Sequence, residues 1–336
     1  MPVNRWKLFT SVIISLLIII LIYLNRTWIA EALDLLDQAR PTYLIGAFLL
    51  IILSYLVSAQ VFAVTLRSLG HKLSMLRLWA IALTAITISQ SVPAGGVGSY
   101  AFLISSFRRS GVSPGSAALI ASLEMLSYAM AMLILFAFSL LFLTAHGIVG
   151  GRASYIDGGI ALAMISGGAF ILSRPAIRLK GWINTLHQAT ARLLGRTWST
   201  QWTERLIDEL DRARALLASR RRDVLLLVLI QLTALCGHSL GMLLVLRAFD
   251  VQTNLFIMLA AFGIALITST FNILPGGGGT VEAALVALLS QLGIGPAAVP
   301  AVIIFRLFNF WLLTPVAGLA YHWLIHMQAL PSPEER

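Results

Sequence analysis

The charged residues of interest lie inside long apolar stretches of the sequence, where charge is rare. Glu124 and Arg306 each lie ten residues beyond a proline that precedes an apolar run, and Glu282 closely follows four glycines. If these runs cross a bilayer, a charge near its centre costs about 2.5–3.5 kcal/mol, so each side chain should face the interior and find a partner. We predict that Glu124 pairs with Arg306, or that Arg306 meets an anionic head group. A purely architectural ion pair is the alternative.

Two glycine-rich breaks carry main-chain groups that could hold a ligand. One follows Pro93 and the other follows Pro275. Proline removes a backbone donor, and glycine allows positive φ and close approach. A helix that starts after each break would point its positive dipole end into the break, which suits a phosphate or carboxylate. Alternatively, the glycines only permit tight helix packing. The predicted ligand-binding residues are Gly95, Gly96, Gly98, Gly276, Gly277, Gly278, Gly279 and Thr280.

Amide side chains near the breaks are secondary candidates. Gln90, Asn272 and Asn309 could bind a ligand, or they could simply bond neighbouring helices. Glu282 could cap the helix dipole or carry a proton. The six histidines are scattered, with no metal-binding HExxH pattern, and no nucleotide-binding glycine loop is present. We therefore predict no catalytic residue, metal site or cofactor, and no enzymatic activity.

Composition predicts an all-α integral membrane protein. Of the 336 residues, 58% are hydrophobic and 11% are charged, and the mean hydropathy is +0.88. Solid apolar runs predict helices rather than the alternating strands of a barrel. Two apolar stretches, 78–107 and 255–292, are interrupted by proline and glycine and are predicted to be re-entrant hairpins. The predicted full spans are 8–24, 43–66, 114–143, 155–172, 224–246 and 297–325.

Basic residues predict the orientation of this single membrane domain, 1–336. With a cytoplasmic N-terminus, 19 Lys and Arg residues lie inside and four lie outside, so both termini should be cytoplasmic and the membrane the cytoplasmic (inner) one. The first run follows Arg5 and Lys7 and is too long for a signal peptide, which predicts a retained span. Segment 173–223 carries eleven basic residues and is predicted to lie on the inner leaflet, or to be a solvated linker. The net charge of +10 therefore indicates anionic lipid partners rather than nucleic acid.

An internal duplication relates the two breaks. Pro93 matches Pro275 at an offset of 182 residues, and in the same frame Gln90 matches Asn272 and Glu124 matches Arg306. The predicted repeats are 76–143 and 255–325. Because one hairpin enters from the cytoplasm and the other from outside, the repeat is predicted to be inverted, as in many transporters.

The second repeat carries a resemblance to a known family. Its Pro275 to Glu282 motif, Gly293 and Pro296, the run Phe305-Arg306-Leu307, and then Trp311 and Pro315 resemble the lysylphosphatidylglycerol synthase transmembrane-region family of flippase-like proteins. The first repeat differs, with Glu124-Met125 where many members carry Glu-Arg, and Ser99-Tyr100 at a commonly acidic position. The resemblance implies translocation of a charged or glycosylated lipid. Lipid aminoacylation is not expected, because the soluble acyltransferase-like domain of bifunctional members is missing.

Three functions are compatible with these patterns. The first is flipping of an anionic or glycosylated lipid through a midplane cavity, with Arg306 holding the head group. The second is proton-coupled transport of a small polar solute, with Glu124 or Glu282 as the proton carrier. The third is a non-transporting partner of a lipid-synthesising or lipid-modifying enzyme, bound through 173–223.

Overall fold

A computed structural model describes residues 39–91, 95–147, 221–270 and 280–327, together with a few single positions elsewhere. These ranges are helical throughout, with short connections. The helices are α1 (Pro41–Ser68), α2 (Met75–Ser91), α3 (Gly95–Arg109), α4 (Pro114–Ala145), α5 (Arg221–Ala248), α6 (Leu255–Thr270), α7 (Thr280–Gln291), α8 (Ala298–Arg306) and α9 (Leu313–Met327). A 3₁₀ turn, Gly295–Ala297, precedes α8, and a π-helical turn, Leu307–Trp311, joins α8 to α9.

Four helical segments in these ranges are long and apolar enough to cross a membrane. They are Pro41–Ser68, Pro114–Ala145, Arg222–Ala248 and Gly295–Ile325. They contain the predicted spans 43–66, 114–143, 224–246 and 297–325, so the all-helical membrane architecture is confirmed. The predicted spans 8–24 and 155–172 lie outside the described residues, as does all but the end of segment 173–223.

The two interrupted stretches each form a pair of short helices. Helices α2 and α3 pack against one another, as do α6 and α7. At about 1.5 Å per residue, none of the four reaches the ~30 Å of a hydrocarbon core. The sequence predicts two short segments in the first stretch, 78–92 and 99–107, but α3 begins four residues earlier than predicted, at Gly95. A Cβ on Gly98 would lie 3.3 Å from the Ile88 side chain, so glycine in this first turn lets α3 approach α2 closely.

Both ends of the α2–α3 pair lie at one end of the bundle. The Phe62 ring, near the end of α1, lies 5.4 Å from the Phe107 ring, near the end of α3. Leu78, near the start of α2, belongs to the same buried cluster. The start of α2 and the end of α3 therefore lie close together, near the end of α1.

Helices α1 and α5 are the most closely packed pair. A Cβ added to Gly241 would lie 2.9 Å from Ile51, and one on Gly237 would collide with Ser54. Such small-xxx-small spacing lets membrane helices approach closely. At one end the Arg40 N–H donates to the Ala248 carbonyl at 2.9 Å, so the start of α1 meets the end of α5 and the helices run antiparallel.

The two repeats share the turn that precedes their long helices. Gly111 and Gly293, which are 182 residues apart, have φ of 85° and 87°. Val112 N–H donates to the Phe107 carbonyl at 3.1 Å, and Ile294 N–H donates to the Leu289 carbonyl at 2.9 Å. Both turns thus end a short helix through a left-handed glycine and the same five-residue hydrogen bond.

The last span is interrupted by the π turn, which the sequence did not predict. Leu312 N–H donates to the Leu307 carbonyl at 2.9 Å, which is an i to i−5 bond. Pro315 lies four residues beyond Trp311, and a proline ring clashes with the carbonyl four residues before it. A wider turn ahead of the proline relieves this clash, and π turns are often found at functional sites.

Candidate functional site

Arg306 connects the two broken stretches. Its Nε lies 2.6 Å from Glu282 Oε1, and its Nη1 donates to Gln90 Oε1 at 3.3 Å. Gln90 is the penultimate residue of α2, which leads into the first break, and Glu282 lies in the first turn of α7, which follows the second. A single guanidinium therefore binds one side chain from each break.

The Arg306–Glu282 pair is shielded from solvent. The side chains are 16% and 10% exposed, respectively. Among the described residues, Glu282 Oε2 is buried and has no hydrogen-bond partner. Glu282 also lies at the positive end of α7, where a carboxylate is favoured. Glu282 thus forms the ion pair at the position where it was predicted to stabilise the dipole of α7. Its Oε2 remains available as an acceptor.

The π turn is attached to α1 by a tyrosine. The Tyr55 hydroxyl lies 2.6 Å from Asn309 Oδ1 and 2.9 Å from the Asn309 main-chain oxygen. The Phe48 and Phe308 rings lie 5.4 Å apart in an edge-on contact beside it. Asn309, predicted as a polar group of the site, therefore bonds α1 rather than Arg306, and it holds in place the turn that follows Arg306.

Aromatic rings enclose the polar centre. The Arg306 guanidinium carbon lies 4.5 Å from the centre of the Phe310 ring, a cation–π contact. The His238 ring of α5 meets Tyr55 edge-on at 4.7 Å, and its Nδ1 is buried without a hydrogen-bond partner in the described part of the chain. A narrow crevice opens between α1, α2 and the π turn. Its lining is Tyr55, Leu83, Ile86, Thr87, Gln90, Asn309, Phe310 and Leu313.

The predicted Glu124–Arg306 pair is not formed. Arg306 binds Glu282 instead, and Glu124 makes no ion pair with any residue the structure describes. Glu124 lies on α4 one turn before Tyr128, whose side chain is close enough to interact with it electrostatically. Equivalent positions in a repeat do not have to touch, because the contact depends on which faces of the helices meet.

The glycines of the two breaks are only partly described. Gly95, Gly96 and Gly98 form the first turn of α3, whose leading N–H groups have no partner within the helix. Gly96 and Gly98 are exposed, and a Cβ on Gly96 would meet nothing within 4 Å. Thr280 begins α7. The remaining predicted residues, Pro93, Asn272, Pro275, Gly276, Gly277, Gly278 and Gly279, lie outside the described residues.

Sequence reasoning missed three aromatic members of the site. Tyr55, His238 and Phe310 all lie in the middle of apolar spans. Tyr55 gave a usable signal, because tyrosine in membrane helices is concentrated at the interfaces and a mid-span tyrosine needs a bonding partner. His238 gave a signal too, because an ionisable side chain inside an apolar span is rare and is expected to face the protein interior. Phe310 gave none.

The arrangement suits binding and exchange of charge. A guanidinium offers five donors in a fixed fork that matches phosphate or carboxylate. Here the fork is held by a carboxylate that itself has a spare acceptor and by a neutral amide. An anion that reached Arg306 would therefore compete with Glu282 for the same cation.

Long apolar helices and short broken helices that meet at a buried ion pair define a multi-pass helical membrane protein. The chain belongs to the family of the lysylphosphatidylglycerol synthase TM region, whose model matches residues 8–317. The resemblance in the second repeat is thereby confirmed. No curated protein matches the chain.

Proposed function

We propose that the chain translocates a lipid with an anionic or glycosylated head group between the leaflets of the cytoplasmic membrane, without enzymatic chemistry. The observation that carries this proposal is the binding of Arg306 to both Glu282 and Gln90. One cation thereby links a side chain from each broken stretch. A ligand that displaced Glu282 would loosen α7 from α8 while remaining within reach of α2.

Two re-entrant hairpins in an inverted repeat form the pathway in this proposal. The return of α3 to the end of the bundle where α2 starts supports the first hairpin. The repeat is supported by the 182-residue offset that relates Gly111 to Gly293, whereas the type of turn also occurs at Gly70 and Asp250. Non-helical backbone at membrane depth is tolerated only where protein or a water-filled cavity surrounds it, so the breaks would line the pathway.

Lipid is preferred over a small solute as the substrate for two reasons. The family is named for a protein region that accompanies lipid synthesis. In addition, the first turn of α3, whose N–H groups have no partner within the helix, is exposed at Gly96, Val97 and Gly98. A head group could reach these groups from the side, while its acyl chains stay in the hydrocarbon.

The test is a leaflet-exchange assay on the full chain in phosphatidylcholine vesicles. Fluorescent phosphatidylglycerol and fluorescent phosphatidylcholine are compared by chemical quenching of the outer leaflet. We expect faster exchange of the anionic lipid, loss of that exchange in Arg306→Ala and partial retention in Arg306→Lys.

The matched control is Arg40→Ala. Arg40 also forms an ion pair, with Asp250 at 2.6 Å. The side chains of both residues are more than half exposed, at a helix end. This variant should exchange lipid at the unmodified rate. If the unmodified chain moves no lipid, or if Arg306→Ala moves lipid as fast as the unmodified chain, the proposal is wrong. Uptake of a charged solute by the same vesicles, without lipid exchange, would favour the solute transporter.

A further inference from the structure

Glu124 is a membrane-embedded carboxyl group that the Arg306 site does not use. It lies eleven residues into α4, a 32-residue helix, and is partly buried. At about 1.5 Å per residue this position is about 15 Å into the helix, at the depth of the hydrocarbon core. Among the described residues it has neither an ion-pair partner nor a side-chain hydrogen bond; Ser127 donates only to its main-chain oxygen, at 2.9 Å.

The sequence offers this carboxyl few cations. The apolar stretches 8–25 and 153–173 contain no Lys or Arg. Arg306 is the basic residue that lies within a predicted span, and it is bound to Glu282. Among the residues that the structure describes, no cation is therefore paired with Glu124.

The groups around Glu124 are uncharged tyrosines and small polar side chains. On its own helix, Tyr128 interacts with it, and Tyr128 in turn lies within electrostatic range of Tyr55 on α1. On α3 the Tyr100 hydroxyl lies 3.0 Å from Ser122 Oγ, two residues before Glu124. Helix α6 carries no titratable residue, and the mid-helix titratable groups of α5 are Cys236 and His238, the latter lying against Tyr55.

Tyr55 links this region to the ion pair. Its side chain is within electrostatic range of Arg306 as well as of Tyr128. Tyr128, which is near Glu124, and Tyr55, which is near Arg306, are therefore within electrostatic range of each other. Glu124 and Arg306 also occupy equivalent positions in the two repeats, 182 residues apart.

A carboxylate removed from water without a cation or donors is strongly disfavoured, and the group holds a proton instead. We propose that Glu124 is a proton-binding site, and that on releasing its proton it takes Arg306 from Glu282. In this exchange the O–H bond of Glu124 breaks and its proton passes to water. The guanidinium stays charged and changes partner, and Glu282 is left to accept a proton or a ligand cation. The predicted Glu124–Arg306 pair would thus belong to a second state of the protein.

Proton binding by Glu124 does not depend on the transported molecule, although its use to drive transport rests on the proposed function. The experiment is infrared titration of the full chain in a detergent that lacks carbonyl groups. We expect a protonated-carboxyl C=O band at neutral pH that is lost in Glu124→Gln and kept in the matched variant Asp250→Asn, which removes an exposed carboxyl at a helix end. The same protonated-carboxyl bands in Glu124→Gln and in the unmodified chain would overturn the proposal.

A second variant guards against misfolding of Glu124→Gln. Tyr128→Phe keeps the ring and removes a hydroxyl within electrostatic range of Glu124, so the band should shift in frequency without being lost. A band that Tyr128→Phe leaves in place and that glutamate isotope labelling does not move belongs to another group, and the assignment to Glu124 fails.

The coupling is measured separately in vesicles that contain a pH-sensitive dye. Lipid exchange in the unmodified chain should be accompanied by proton movement, and Glu124→Gln should abolish the proton movement. If the carboxyl band is present while no lipid moves, the proton site stands and the proposed function fails. If lipid moves while the carboxyl band is absent, the proposed function stands and the proton site fails.

Discussion

Arg306 and Glu282 form a buried ion pair through Nε and Oε1 at 2.6 Å. The pair joins the last residue of α8 to the first turn of α7, two elements separated by the helix end at Gln291 and the turn at Gly293. Because both side chains are largely removed from solvent, loss of either partner leaves an uncompensated charge.

A double-mutant cycle should reveal this coupling. Arg306→Gln and Glu282→Gln should each destabilise the protein by about 3–5 kcal/mol, because each leaves one buried charge unpaired. The double variant should be less destabilised than the sum of the two, with an interaction energy of about 0.5–3 kcal/mol. Thermal and denaturant unfolding in detergent measure these values. Strictly additive effects would show that the two side chains do not interact.

Gln90→Leu should weaken the link between α2 and Arg306. It removes the acceptor at 3.3 Å and should cost about 1.5–3 kcal/mol, the range for hydrogen bonds to charged groups. Lipid exchange should also fall. The control is Gln60→Leu, since Gln60 bonds only the Leu56 carbonyl of its own helix. Equal effects of both substitutions on exchange would contradict a role for Gln90 at the site.

Tyr55→Phe should loosen the π turn. The variant loses the hydroxyl that contacts both oxygens of Asn309, while the ring contact with His238 remains. Hydrogen exchange at residues 307–313 should become faster, and stability should fall by about 0.5–1.5 kcal/mol, because the one hydroxyl proton is shared between the two oxygens. Tyr43→Phe, at an exposed position in the first turn of α1, is the control and should leave that exchange unchanged.

Gly263→Ala should separate α6 from α4. A Cβ at this position would meet the Leu135 carbonyl oxygen at 2.6 Å and also the Ser139 hydroxyl. Overpacking of this kind costs about 1–3 kcal/mol. Gly115→Ala is the matched control, because a Cβ there meets nothing within 4 Å, and alanine has the higher helix propensity. A lower unfolding midpoint in detergent for Gly263→Ala alone is the expected result.

The equivalent turns should respond alike to substitution. Gly111→Ala and Gly293→Ala both place a side chain at φ near +85°, which costs about 1–2 kcal/mol although nothing lies within 4 Å of either position. Similar losses of unfolding free energy would show that both turns stabilise the fold. No loss at one of them would indicate that its helix end can rearrange.

Much of the architecture could be predicted from the sequence, because apolar length and the cost of a buried charge act locally. These two properties predicted the spans around α1, α4, α5 and α8–α9. Arg306, Glu282 and Gln90 were also among the predicted site residues. The choice of Glu282 rather than Glu124 as the partner of Arg306 could not be predicted, since it depends on how the short helices pack. The start of α3 at Gly95 was not predicted, because its first glycines were interpreted as part of the break. Gly98 instead lies within the helix and allows α3 to pack closely against α2.

The π turn directly after Arg306 has a mechanical consequence. A π turn holds one residue more than an α turn, so relaxing Leu307–Trp311 into regular helix would rotate everything before it by about 100° relative to α9. This rotation would move the Arg306 guanidinium away from the Glu282 carboxylate without unfolding either flanking helix. The Tyr55 hydroxyl is bonded to Asn309, the middle residue of that turn, and this bond would have to break before the rotation could occur.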